Sequence, residues 1–153
     1  MVFYIFTRGG FGNVLFNYLF GYALGKKYGV QVQYINNHDK RRPMMSTYSI
    51  FKDEVYTSRT VKNANVISEE GFTYSDRYMN ITNPEEDYLI DGYFQSYKYS
   101  TDVIDEIRVK LFGGLQKYVH PQQTIMLHVR RGDYLQIQDV HPVQTDGYYS
   151  EAL

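Results

Sequence analysis

Cysteine is missing from all 153 residues, which excludes a disulfide scaffold, a thiolate metal site and a cysteine nucleophile. Tryptophan is missing too, so the large aromatic faces are those of Tyr and Phe. No apolar run approaches the roughly 18 residues that a membrane span needs. The N-terminus has no basic stretch leading into an apolar core, so no secretory leader is expected and a cytoplasmic location is. Neither sign of charge is in excess: 16 Lys and Arg stand against 17 Asp and Glu, a net charge of −1. That balance excludes the broad basic footprint of a nucleic-acid binder. His38, His120 and His141 have no ligand spacing with each other or with carboxylates, so no metal site and no cofactor are expected.

What is present is ordinary globular composition, 43% hydrophobic and 22% charged. A chain of this length buries about two-thirds of its unfolded surface, enough for a core. The 17 Tyr and 9 Phe are the unusual counts. Tyrosine offers a flat apolar face and a hydroxyl, which suits sugar and nucleotide pockets as well as half-buried strand positions.

Val2–Thr7 reads as a short buried strand. Gly9, Gly10 and Gly12 break it. Asn13 is a candidate N-cap for a helix over Val14–Tyr28, whose apolar residues Leu15, Tyr18, Leu19, Tyr22 and Ala23 recur at helical spacing, with Gly29 just past its end. Val30–Ile35 alternates like a strand, and the whole is a βαβ unit opening a doubly wound α/β domain. Residues 36–47 form a polar loop with a basic cluster at Lys40–Arg42. A short helix near Tyr48–Tyr56 and an extended piece near Asn65–Ile67 follow. Tyr88–Ile90 reads as a strand. Ser100 or Thr101 caps a helix bearing Val103, Ile104, Ile107 and Leu111, stopped by Gly113 and Gly114. Thr124–Val129 reads as one more strand, and a last helix begins near Asp146. The linker signal lies at Gly113–Gln123, so residues 1–115 are expected as one α/β domain, 116–123 as a linker, and 124–153 as the start of a second.

Three segments carry chemistry. His128–Tyr134 (HVRRGDY) follows the expected strand Thr124–Val129. Strand alternation would put His128 and Arg130 on one face, at the carboxyl end where open α/β sheets bind ligands. There the planar fork of Arg matches phosphate oxygens. Asp133 can pair with Arg131 or hold a loop. The second segment, Arg8–Asn13, puts glycines at a strand-to-helix turn where backbone N–H groups can approach an anion. Its spacing fits neither a dinucleotide fingerprint nor a P-loop, and a purely structural turn explains it equally well. The third, Asp91–Tyr99, sets Gln95 and Ser96 among aromatics, where they could bind and stack on a sugar; a half-exposed loop explains it nearly as well.

Together these segments resemble the glycosyltransferase family of the α-1,2-fucosyltransferases. Gly9–Asn13 with Phe16, Tyr18 and Ala23 match its opening turn and helix, Gly92–Ser96 its G-Y-[WF]-Q-S segment, and His128–Tyr134 its H-[VI]-R-R-G-D-Y motif. His141–Pro142 and Tyr148–Ala152 are similar to its continuation. Val14 and Asn17 depart from glutamines common in the family, and the later motifs of the donor-binding half are missing.

The resemblance implies a GT-B fold: a Rossmann-like N-terminal domain on the acceptor side, plus the first strand and helix of a second, incomplete Rossmann-like domain. It implies an inverting, metal-independent transfer of fucose from GDP-fucose to a sugar hydroxyl, in α-1,2 linkage to a galactoside. The alternative is a non-catalytic sugar- or nucleotide-binding remnant. The implied donor contacts are Gly10, Gly12, Asn13, His128, Arg130 and Arg131, with Arg130 first for the diphosphate; Gln95 and Ser96 face the acceptor. Asp133, Asp139 and His141 are the candidate bases, Asp133 beside two arginines being the better orienting group. An incomplete second domain exposing Ile125 and Leu127 is expected to favour self-association.

Overall fold

A run of β-branched and aromatic residues makes the first strand, β1 (Val2–Phe6), of a computed structural model that describes residues 1–36, 44–57, 61–83, 85–113 and 126–152. Contacts divide the chain into two units, Met1–Leu115 and Gln116–Leu153.

In the first unit, β1 leads through the glycine turn into helix α1 (Phe11–Tyr28) and back to β2 (Gln31–Ile35). Short strands β3 (Tyr56–Thr57) and β4 (Asn65–Ser68), then β5 (Tyr88–Asp91), complete a sheet of order β3-β2-β1-β5-β4. Every pair is parallel, as crossover connections require. The expected βαβ unit is present. The helix starts earlier than expected, at Phe11 with Gly10 at its cap, so Asn13 lies inside the first turn and does not cap it; Gly29 ends it in the left-handed conformation. Tyr48–Tyr56 holds only a short 3₁₀ turn at Ser49–Phe51, not a longer helix. Helix α2 (Ile104–Phe112) begins after Val103 without a side-chain cap, so neither Ser100 nor Thr101 takes that role, although Ile107 and Leu111 are buried as the spacing requires.

Alternation along β1 sends Phe3 and Ile5 under α1, where they meet Tyr18, Leu24, Tyr34 and Ile90 in one core. Two glycines of α1 face the sheet and let the helix pack against it without a Cβ between them. A Cβ on Gly21 would stand 2.9 Å from Ile5 Cγ1, and one on Gly25 would stand 2.5 Å from Val32 Cγ2. α2 is tied to α1 by Glu106, which accepts from Tyr22 and pairs with Lys26. Lys110 Nζ bonds Glu54 at 2.7 Å and lies over the Tyr18 and Tyr22 rings. Burial pushes the phenols of Tyr18 and Tyr56 up to about 12 and raises that of the fully enclosed Tyr34.

In the second unit, the described residues form a 3₁₀ turn at Gly132–Gln136 and a short helix, α3 (Asp146–Ala152). The strand expected over Thr124–Val129 is corrected: Met126–Val129 are irregular, while Thr124 and Ile125 lie outside the described residues. A strand exists through ladder bonds to a neighbour, and no described residue of this unit belongs to a strand that could pair with it. The expected linker 116–123, the basic cluster at Lys40–Arg42, His38 and His120 also lie outside the described residues.

Candidate functional site

The carboxyl ends of β1 and β5 are neighbours, Phe6 opposite Asp91, and each strand runs directly into one of the motif turns. Arg8 leaves β1 and pairs with Asp91, flanked by the Phe6 ring at 5.2 Å and the Tyr93 ring at 5.7 Å. Its Nε is buried with no hydrogen-bond partner among the described residues.

Asn17 locks the two turns together. Fully buried on the inner face of α1, it donates to Gly92 O at 2.7 Å and to Tyr93 O at 3.4 Å, and accepts from Arg8 N at 3.4 Å. Glu69, just past β4, takes the other side of the second turn, its Oε2 accepting from Tyr93 N at 2.7 Å and Phe94 N at 2.9 Å. These bonds hold Phe94 at φ 49, a strained conformation for a bulky side chain. The Phe94 ring stacks on Phe20, with centroids 3.9 Å apart.

So fixed, the second turn delivers Gln95 to Asn13: Gln95 Nε2 donates to Asn13 Oδ1 at 2.6 Å. Two motifs 82 residues apart in sequence thus meet at one point. Gly9, at φ 81, makes this possible, since a Cβ there would fall 2.2 Å from Asn13 Nδ2. Among the described residues each amide keeps its second group unbonded, Asn13 Nδ2 as a donor and Gln95 Oε1 as an acceptor, suited to a hydroxylated or anionic ligand. The first turn of α1 carries no acidic residue, Gly10 is extended at its cap, and a Cβ on Gly12 would meet nothing within 4 Å. Free N–H groups at that end favour negative charge. Ser96 instead caps the turn Tyr97–Tyr99, accepting from Lys98 N at 3.4 Å.

In the second unit, His128, Arg130, Arg131, Asp139 and His141 are all exposed. With no strand there, alternation does not place His128 and Arg130 on a shared face. The guanidinium of Arg130 lies 4.3 Å from the Tyr134 ring centroid, and Tyr134 stacks on His141 at 4.6 Å and 12°. Tyr134 is therefore the piece that joins two candidate residues. Arg131 pairs with Asp146 at 2.7 Å, while the side chain of Asp133 lies outside the described residues. Among the described residues, no three His, Asp or Glu side chains stand together as metal ligands. No described helix is long and apolar enough to cross a membrane.

Asn17, Glu69 and Tyr134 were not among the expected site residues. Asn17 had a readable signal: it shares the helix face of Val14, Tyr18 and Gly21, and an amide on a buried stripe demands partners. Glu69 had none, because its role exists only once β4 pairs with β5.

The first unit is an α/β domain with a five-stranded parallel sheet, consistent with a Rossmann-like arrangement, and its polar turns lie at the strand carboxyl ends. The family description that matches the chain is glycosyl transferase family 11, over residues 3–153, so all three motif segments fall within it. The chain belongs to this family, that of the α-1,2-fucosyltransferases, whose chemistry joins a donor sugar to an acceptor. Neither curated proteins nor solved structures give a match.

Proposed function

We propose that the protein transfers fucose from GDP-fucose to a sugar hydroxyl, α-1,2 to a galactoside, with inversion and without a metal ion. The observation that carries the proposal is the family match across residues 3–153. The meeting of Asn13 and Gln95, from two separate motifs, supports it.

In this reading the acceptor oxygen attacks the anomeric carbon, the bond to the diphosphate breaks, and a base takes the hydroxyl proton. Arg130, with Arg131 and His128, neutralises the charge that grows on the leaving diphosphate. Gly10, Gly12 and Asn13 offer the helix N-terminus to the donor, and Gln95 and Ser96 hydrogen-bond the acceptor. Asp139 and His141 are the candidate bases, with Asp133 an orienting carboxylate.

The test is fucosyl transfer from GDP-fucose to a galactoside, with the product anomer read by NMR. Arg130→Lys keeps the charge and loses the fork, and the rate should fall by about a hundredfold. Activity should persist in EDTA. Loss in chelator restored by magnesium would sink the metal-free step. GDP-fucose binding with no product would replace transfer by a purely binding role.

A further inference from the structure

We infer that the first unit carries a second carbohydrate-binding site, separate from the Asn13–Gln95 junction, that takes a neutral oligosaccharide. The site is a cleft of about 540 Å³ between the last turns of α1 and the segments around Tyr74 and Tyr99. Its α1 wall begins at Ala23, ten residues from Asn13, or about 15 Å along the helix axis. It shares no lining residue with the Arg8–Asn13 turn, and from the second motif segment it takes only Lys98 and Tyr99, three and four residues past Gln95.

The chemistry of the walls selects the ligand. Tyr99 is buried and forms the floor, its hydroxyl accepting from Ser75 N at 3.0 Å. Tyr74 tilts against it at 45° with centroids 4.7 Å apart and is half-exposed. Lys98 Nζ rests 5.3 Å from the Tyr74 centroid, an exposed cation–π contact that a ligand can displace cheaply. The cleft carries both signs of charge. Lys27 donates to Met79 O and Asn80 Oδ1, Lys26 is paired with Glu106, Asp76 accepts from the Tyr74 hydroxyl, and Asp102 accepts no hydrogen bond from a described residue.

A phosphate-bearing ligand would face Asp76 and Asp102, and a cationic one would face Lys27 and Lys98. Sugar hydroxyls both donate and accept, so they suit both signs at once. The C–H face of a pyranose suits the tyrosine ring, which offers apolar surface beside a polar rim. The choice of a glycan as ligand class rests on the acceptor chemistry proposed above; the location of the cleft does not.

The probe is lactose, titrated into the ¹⁵N-labelled 153-residue chain with amide shifts as the readout. Saturable shifts at Tyr74, Lys98 and Asp102 are expected, with a dissociation constant on the order of 1 mM. Tyr74→Ala should weaken binding about tenfold, the worth of one aromatic contact. Asp102→Ala, at an exposed position that leaves the fold intact, should weaken it about threefold through a lost hydrogen bond. Gln95→Ala should leave these shifts in place. No saturable shift at any of the three amides would overturn the inference, as would shifts confined to Asn13 and Gln95. Glucose 6-phosphate binding the cleft more tightly than lactose would overturn the assignment to a neutral ligand. None of these outcomes touches fucosyl transfer, which the product assay measures separately.

Discussion

The two halves of the motif set are held by different kinds of bond. In the first unit, Arg8–Asp91, Asn17–Gly92 and Asn13–Gln95 span 83, 75 and 82 residues. Those contacts form only when the sheet and α1 are assembled, so the turns take their shape from the whole core. In the second unit, the contacts of Arg130 with Tyr134, Tyr134 with His141 and Arg131 with Asp146 all lie within 15 residues and are largely exposed. The lesson is where damage will show. Changing a site residue of the first unit should be read as lost stability. Changing one of the second should be read in ligand and rate, with the fold barely affected.

Asn17→Ala gives the largest expected break. It strands the carbonyls of Gly92 and Tyr93 and the N–H of Arg8 in a buried place, at a cost of about 3 kcal/mol. Urea denaturation checks this, and an unchanged midpoint would mean that Asn17 does not hold the turns together.

The second test uses pH. Burial raises Tyr18 and Tyr56 to about 12 in the fold, against the ordinary phenol value of 10. The unfolded chain therefore loses these protons first. Their contribution to stability is complete below pH 10 and is lost as pH rises toward 12. The urea midpoint should be lower at pH 11 than at pH 9. Equal midpoints would show that these phenols ionise as readily inside the fold as outside it.

The smallest effect belongs to the second unit. Arg131→Ala removes an ion pair whose Asp146 partner is 93% exposed, and such pairs contribute less than about 1 kcal/mol. Salt should erase even that. A loss as large as that of Asn17→Ala would erase the contrast between the two units.

Much of this was legible in the sequence, and the limits are physical. The β1–turn–α1–β2 unit could be read because periodicity, glycines and the Lys26–Lys27–Tyr28–Gly29 ending agree with one another. The motif turns could be located, but not their meeting. Asn13 looks like a helix cap from its neighbours, yet Gln95, 82 residues away, claims its side chain. The two-residue β3 carries no periodic signal, while β4 was legible as the extended piece at Asn65–Ile67; its pairing with β5, which brings Glu69 to the second turn, was not. The apolar run Thr124–Val129 has strand chemistry, but a strand is a relation between segments, and composition alone does not supply the partner.

Gly21 and Gly25 have a consequence far from where they sit. By letting α1 settle onto Ile5 and Val32, they set the height of the helix above the sheet. An α-helix is stiff, so that height is carried to its other end, where Asn17 and Asn13 meet the second turn about 6 and 18 Å from Gly21 and Gly25 respectively. The helix acts as a ruler whose zero is set by two missing methyl groups. The reach of a hydrogen bond at Asn13 is thereby a dimension inherited from packing at the opposite edge of the core.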